Sequence, residues 1–189
     1  GKVAIEVPAA ATNFKESVAS QKLADGVWLL AGGSHNSLAV EMKDHAVVIE
    51  GPLYDARSQA VIDETKKLIP GKPIRYVLNT HVHFDHSGGL ATFAAEGATI
   101  VTNAANKAFY ERGLSAKREV NPDALARSKK KAKVQGVGEK FSMTDGNRTI
   151  EMHQLKGNDH HESIMMVYLP KEKLLVQADV FAPLPAGAK

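Results

Sequence analysis

The chain has 189 residues, of which 43% are hydrophobic and 24% charged, as expected for one globular domain with a buried core. No apolar run approaches the ~18 residues of a membrane span, and a net charge of +3 is too small to argue for a nucleic-acid partner. The absence of cysteine excludes disulfides, thiolate metal sites and a cysteine nucleophile.

The first half of the chain predicts a strand-rich start and then a helix. Residues 1–20 lack a clear hydrophobic period and are interpreted as a leader or linker before a domain over residues 21–189. Three short apolar segments bounded by turn residues predict strands at 27–30, 37–41 and 46–49. Asp55 to Ile69 has apolar residues at helical spacing and is followed by Pro70-Gly71, which predicts an amphipathic helix.

Strands and helices alternate from Ile74 to about Arg112, and this alternation predicts a layered α/β domain. Residues 113–140 are polar, with a short helix predicted after Asp123. The basic run 127–133 is interpreted as a solvated helix face, with a binding patch as the alternative. Three further strands are predicted at 149–155, 164–169 and 174–178.

A histidine-rich segment directly follows the predicted buried strand that ends at Leu78. Residues 80–86 read Thr-His-Val-His-Phe-Asp-His. In an extended segment His81, His83 and Asp85 would project to the same side. Imidazoles and carboxylates are suitable ligands for zinc, iron or manganese, so this density of histidine favours a metal site over a polar loop.

This segment resembles the fingerprint of the metallo-β-lactamase superfamily, which is Thr-His-x-His-x-Asp-His followed by glycine. The resemblance extends from about Leu23 to Phe181. It implies an α/β fold, the αββα sandwich of that superfamily, here expected to lack its C-terminal elements.

The same resemblance implies two adjacent metal sites. The ligands it assigns are His81, His83 and His160 to the first site, Asp85 and His86 to the second, and Asp179 as the bridge. Spacing back from Pro170 favours His160 over His161 as the third histidine, and both remain open. True β-lactamases carry cysteine or serine at the bridging position. The family's usual C-terminal histidine has no counterpart after Asp179, so either the second site is incomplete or the chain is part of a longer protein.

The resemblance implies a hydrolase with one or two Zn²⁺ ions, iron or manganese being possible alternatives. A metal-bound hydroxide would attack a small-molecule ester, lactone, thioester, amide or phosphodiester, with Asp85 as the catalytic residue that orients it and carries a proton. One alternative is a mononuclear iron sulfur dioxygenase of the same superfamily. A second is a nucleic-acid-processing or binding protein that uses the basic run 127–133.

Three other histidines receive separate interpretations. His35 lies on an early loop that could reach the metal cleft, His45 is expected to be exposed, and His153 is expected to be structural. A periplasmic or secreted location is expected, with a cytoplasmic one open. A nucleic-acid partner is disfavoured, and the oligomeric state is left open.

Overall fold

A computed structural model describes residues 15–182, which form two β-sheets with helices packed against the larger one. The strands are β1 (Ala19–Ala24), β2 (Val27–Ala31), β3 (Ser37–Glu41), β4 (Ala46–Ile49), β5 (Ile74–Leu78), β6 (Thr99–Asn103), β7 (Lys133–Val137), β8 (Lys140–Thr144), β9 (Thr149–Gln154), β10 (Met165–Leu169) and β11 (Leu174–Val176). The helices are α1 (Asp55–Leu68), α2 (Phe84–Ser87), α3 (Leu90–Glu96), α4 (Ala104–Ser115) and α5 (Ala124–Ser128).

The larger sheet has seven strands in the order β1 to β7, and the smaller has four in the order β11-β10-β9-β8. Strands β1 to β4 pair antiparallel, whereas β4 to β7 pair parallel. The carboxyl ends of parallel strands meet at one edge of a sheet, and ligand sites of α/β proteins lie at that edge. The segments after β4 and β5 therefore come together there.

Strand β4 shows how the core is divided into two layers. Ala46 and Val48 belong to the cluster beneath the helices, while Val47 and Ile49 belong to the cluster between the two sheets. Successive side chains of a strand point to opposite faces, so a strand covered on both faces must be apolar at every position. All four residues are fully buried, which explains the continuous apolar run in the sequence.

The layered α/β fold predicted from the sequence is confirmed. The helix at Asp55–Leu68 and the strands β2 to β5 lie within about a residue of their predicted bounds. Among residues 15–182, no helix combines the length and apolar character needed to cross a membrane.

Three strands were not predicted. β1 begins at Ala19, inside the predicted leader, of which residues 1–14 lie outside the described part. It is an exposed polar strand, so it carries no hydrophobic alternation that would reveal it. β7 lies within the polar stretch 113–140 and β8 begins at its last residue, Lys140. Apart from the buried Val137 at the end of β7, both alternate between exposed and half-buried positions. Pairing with neighbouring strands, rather than hydrophobic pattern, defines these three.

Two local predictions were wrong. The basic run 127–133 is not one helix face: α5 ends at Ser128, Lys129 has φ +57°, and β7 begins at Lys133. His45 is buried rather than exposed, with Nδ1 2.6 Å from Asp44 Oδ1.

Candidate metal centre

The segment after β5 bends, and the bend separates the candidate ligands into two groups. His81 is fully buried, and the backbone at His83 is still extended, with φ −60° and ψ 143°. Helix α2 begins at the next residue and includes Asp85 and His86. Asp85 therefore does not project beside His81 and His83, and the prediction that all three would share one side of an extended segment was wrong.

The first group brings together three imidazoles and a carboxylate. His160 Nε2 lies 3.2 Å from His81 Nε2 and 3.0 Å from His83 Nδ1. Asp179 Oδ2 lies 3.3 Å from His160 Nε2 and 3.6 Å from His81 Nε2. These four donor atoms all lie within 4.8 Å of one another, and we call the four residues the first cluster.

The spacing of the first cluster fits a tetrahedral metal ion. Donors bound at about 2.0–2.1 Å in a tetrahedron are separated by about 3.3 Å. Burial, reinforced by the neighbouring His86, His83 and His160 rings, lowers the pKa of His81 to about 3, so this imidazole is neutral at pH 7. Thr80 Oγ1 lies 2.9 Å from His81 Nδ1, which leaves Nε2 facing the cluster.

The two adjacent histidines before β10 have different surroundings. His160 contributes Nε2 to the first cluster, whereas His161 Nδ1 lies 3.1 Å from the Ser163 hydroxyl. The His161 ring centroid is 5.5 Å from that of His83 and 5.8 Å from that of His81. The structure thus brings His160 together with the other ligands predicted for the first site, and His161 remains beside them.

Asp179 lies between the two groups of side chains. Its Oδ2 is 2.9 Å from His86 Nε2 as well as 3.3 Å from His160 Nε2. Its backbone has φ +60°, a left-handed conformation that aspartate adopts more readily than most residues. A carboxylate in this place can serve both groups, as the predicted bridging role requires.

The second group consists of His35, Asp85 and His86, and we call it the second cluster. Asp85 Oδ2 lies 2.9 Å from His35 Nε2 and 3.7 Å from His86 Nε2. Burial acts to raise the pKa of Asp85, but the His86 ring, a backbone hydrogen bond and the His35 ring together outweigh it, and the net shift is downward. Burial lowers the pKa of His86. The cluster therefore offers an anionic carboxylate and a neutral imidazole.

A buried polar network that the sequence did not identify supports both clusters. The Thr80 backbone N–H donates to Glu50 Oε1 at 2.9 Å, and Asn79 Nδ2 lies 3.3 Å from Glu50 Oε2. Asn79 Nδ2 also donates to the His86 carbonyl at 3.2 Å, while the Tyr110 hydroxyl donates to Asn79 Oδ1. These bonds fix the backbone of the segment after β5, which carries several of the candidate ligands.

Glu50 is the titratable group at the centre of that network. Burial raises its pKa to about 8, against the opposing effect of the bonds from Thr80 and Asn79. Its Oε2 lies 3.6 Å from His86 Nδ1. A signal for it was present in the sequence, because Glu50 directly follows the apolar strand β4 at the edge where ligand sites form.

We expect Glu50→Gln to weaken metal binding by about 10–100-fold, the loss typical when a group behind a ligand is changed. A metal ion bound nearby favours the ionised form of Glu50, and the carboxylate beside His86 Nδ1 then favours a ring whose Nε2 is free to bind metal, whereas an amide stays neutral. Competition with a chromophoric chelator measures the change. Glu111→Gln, on the exposed surface of α4, is the matched control. Equal affinity in the two variants would contradict a supporting role for Glu50.

An open cleft of about 660 Å³ adjoins both clusters. Its lining combines apolar side chains with polar and ligand side chains. The apolar residues include Leu29, Leu38, Ile49, Val176 and Phe181, and the polar residues include His35, Asn36, His86, His160 and Asp179. Clefts of this size and mixed lining are typical of small-molecule sites.

Fold and site together define an α/β sandwich protein with a candidate metal centre at the carboxyl edge of its parallel strands. The chain belongs to the metallo-β-lactamase superfamily, whose family model matches residues 30–187. The resemblance seen in the sequence is thereby confirmed at the level of the family.

Similar proteins extend this finding. A metallo-β-lactamase from Pontibacter korlensis superposes with a TM-score of 0.65 at 19% identity, over 84% of this chain and 70% of that one. A flavo di-iron protein from Thermotoga maritima superposes with a TM-score of 0.62 at 17% identity, over 84% of this chain and 41% of that one. The 2,4-dinitroanisole O-demethylase subunit alpha of Nocardioides sp. strain JS1661 is 20% identical over 183 residues. That alignment covers 95% of this chain but 51% of the relative, so the chain spans about half of its length.

Proposed function

We propose that this chain is the metal-binding part of a metal-dependent hydrolase acting on a small-molecule ester, lactone, thioester, amide or phosphodiester. The observation that carries the proposal is the convergence of the His81, His83 and His160 ring nitrogens with Asp179 Oδ2, at separations of 3.0 to 3.6 Å. Membership of the metallo-β-lactamase superfamily supports it, because members of this superfamily are mostly metal-dependent enzymes.

Each residue of the centre has a proposed role. The first cluster would hold one divalent ion, and Asp85, His86 and Asp179 would hold a second. Such ions lower the pKa of bound water towards about 7 and polarise an acyl or phosphoryl oxygen. Asp85, whose side chain is 37% exposed, would accept a proton and pass it to the leaving group.

The cleft supports a small-molecule substrate with an apolar portion. Its apolar lining includes Val176, and the following segment is held by Gln177, whose Oε1 accepts hydrogen bonds from the Val180 and Phe181 backbone N–H groups. A substrate packed against these apolar side chains would place its reacting group near Asp179 and His160, which line the same cleft. Burial of the apolar portion would supply binding energy, while the ligand residues would act only on the reacting group.

Metal analysis followed by a substrate panel tests the proposal. We expect zinc, or iron or manganese in its place, to copurify with the protein, and a chelator to abolish hydrolysis that added metal restores. The substrate panel contains an ester, a lactone, a thioester, a phosphodiester and a β-lactam. It also contains 2,4-dinitroanisole, because one similar protein is named as a 2,4-dinitroanisole O-demethylase subunit. A chain that binds no divalent metal would overturn the proposal.

Iron would favour the second candidate function, a mononuclear sulfur dioxygenase. The specific observation behind it is the donor set itself, because imidazole and carboxylate suit iron as well as zinc. Oxygen consumption with a persulfide substrate by the iron-loaded chain separates this activity from hydrolysis.

A periplasmic location also remains a prediction, and fractionation of the source cells tests it.

A further inference from the structure

The second cluster contains a histidine that is far from the fingerprint segment in sequence. We propose that His35 is a ligand of the second metal ion, so that His35, Asp85 and His86 hold this ion and Asp179 is shared between the two. This inference rests on the proposed function, since it concerns the second ion of the same centre. It makes the loop between β2 and β3 part of the metal centre.

The side-chain geometry supports His35 as a ligand. Its Nε2 is 2.9 Å from Asp85 Oδ2, and the donor atoms of His35, Asp85 and His86 all lie within 4.8 Å of one another. The His35 and His86 rings stand nearly perpendicular, at 77°, with centroids 5.2 Å apart. His86 Nε2 also lies 2.9 Å from Asp179 Oδ2, so a second carboxylate adjoins the two imidazoles and the carboxylate of the second cluster. That donor set suits zinc, iron or manganese.

The loop that carries His35 is held in one conformation by a buried arginine. Arg57 is 1% exposed and donates from Nη2 to the His35 carbonyl at 3.2 Å. A Cβ on Gly32 would lie 2.1 Å from Arg57 Cζ, so only glycine allows the guanidinium to approach this closely. His35 itself has φ +40°, a conformation that costs free energy and persists only where the surroundings hold it.

Arg57 acts through the loop backbone, since it donates to the His35 carbonyl rather than to the ring. A loop free to relax would not keep a left-handed histidine aimed at Asp85. Packing therefore fixes the position of His35 before a metal ion binds, so less conformational entropy is lost on binding. This preparation distinguishes His35 from a surface histidine that reaches a carboxylate by chance.

A simpler role for His35 would be to donate a hydrogen bond to Asp85. Glutamine separates the two roles, because its amide can donate to a carboxylate but supplies no imidazole nitrogen for a metal. We therefore compare His35→Gln and His35→Ala with the unchanged 189-residue chain. His153→Gln is the matched control, since the His153 ring pairs with Glu151 on β9 and belongs to neither cluster.

The experiment titrates each metal-free protein with Co²⁺, recording the visible spectrum, and with Zn²⁺ against a competing chelator. We expect two equivalents in the unchanged chain and the control. Both His35 variants should bind the first equivalent with the affinity of the unchanged chain. For the second equivalent the Kd should rise more than about 100-fold, which exceeds the loss typical when a group behind a ligand is changed. Far-UV circular dichroism confirms that each variant is folded.

Three results would overturn the inference. His35→Gln that binds the second equivalent as tightly as the unchanged chain would reduce His35 to a hydrogen-bond donor. An unchanged chain that binds one equivalent, with no effect of the His35 variants, would remove the ligand role while leaving the first cluster and the proposed function intact. An unchanged chain that binds no metal would overturn the proposed function as well.

Discussion

Replacing His83 with alanine is expected to remove the metal ion of the first cluster and to lower kcat/KM of the metal-loaded chain by more than about 100-fold. His83 Nδ1 lies 3.0 Å from His160 Nε2, so its loss leaves the cluster with two imidazoles and a carboxylate. Loss of a ligand costs more than the roughly 10–100-fold loss that follows a change behind one. Chelator competition and steady-state kinetics measure the two effects.

The control for this prediction is His86→Ala, which removes a ligand of the second cluster. The first cluster has three imidazoles, so we expect it to retain its ion in the His86 variant. In the unchanged chain, a chelator should remove the ion of the second cluster before that of the first. If His86→Ala strips more metal than His83→Ala, the ranking is wrong and the assignment of ligands to the two clusters falls with it.

The largest effect on stability is expected from Arg148, which joins the turns of both sheets. Its Nε donates to Glu172 Oε1 at 2.9 Å, and its Nη1 and Nη2 donate to the carbonyls of Glu41 and Asp25. The Arg148 and Glu172 side chains are only 10% and 5% exposed. Arg148→Met should lower the free energy of unfolding by about 3–5 kcal/mol, because it leaves a buried carboxylate unpaired.

Thermal unfolding of the metal-free protein measures this loss, which corresponds to about 6–20 °C in Tm for a chain of this size. The double variant Arg148→Met/Glu172→Leu is the control. Removing both charges leaves no unpaired carboxylate, so the double variant should recover much of the loss. A single variant that unfolds at the same temperature as the unchanged chain would show that this ion pair contributes nothing to stability.

The elements that the sequence predicted correctly are those whose pattern is local. Strand β4 is buried on both faces and therefore reads as an unbroken apolar run, and α1 shows helical spacing followed by a proline and a glycine. Apart from the buried Val137, strands β1, β7 and β8 have exposed or half-buried positions, so their sequences resemble loops. Their strand conformation depends on partners that are distant in sequence, such as β6 for β7.

The same distinction applies to the metal centre. Residues 80–86 alone indicated a metal-binding segment, because the density of histidine and aspartate is a property of the local sequence. The resemblance to a family then added His160 and Asp179, but left His35 with only a general location. The buried Glu50 and Arg57 could not be assigned roles, because their roles are defined by what contacts them.

The sequence by itself determined the family, the layered fold and the type of donor atoms, since these follow from residue identity and spacing. The resemblance named most of the donors, but only the tertiary structure brings them together and adds His35 to them. His160 and Asp179 reach His81 and His86 from 79 and 93 residues away along the chain. Asp85 joins His35 rather than His81 because α2 turns the backbone at His83. The physical reason is that donor atoms must lie within a few ångströms of one another to share a metal ion. For residues this far apart along the chain, only the pairing and packing of distant strands and loops sets the distance between donor atoms.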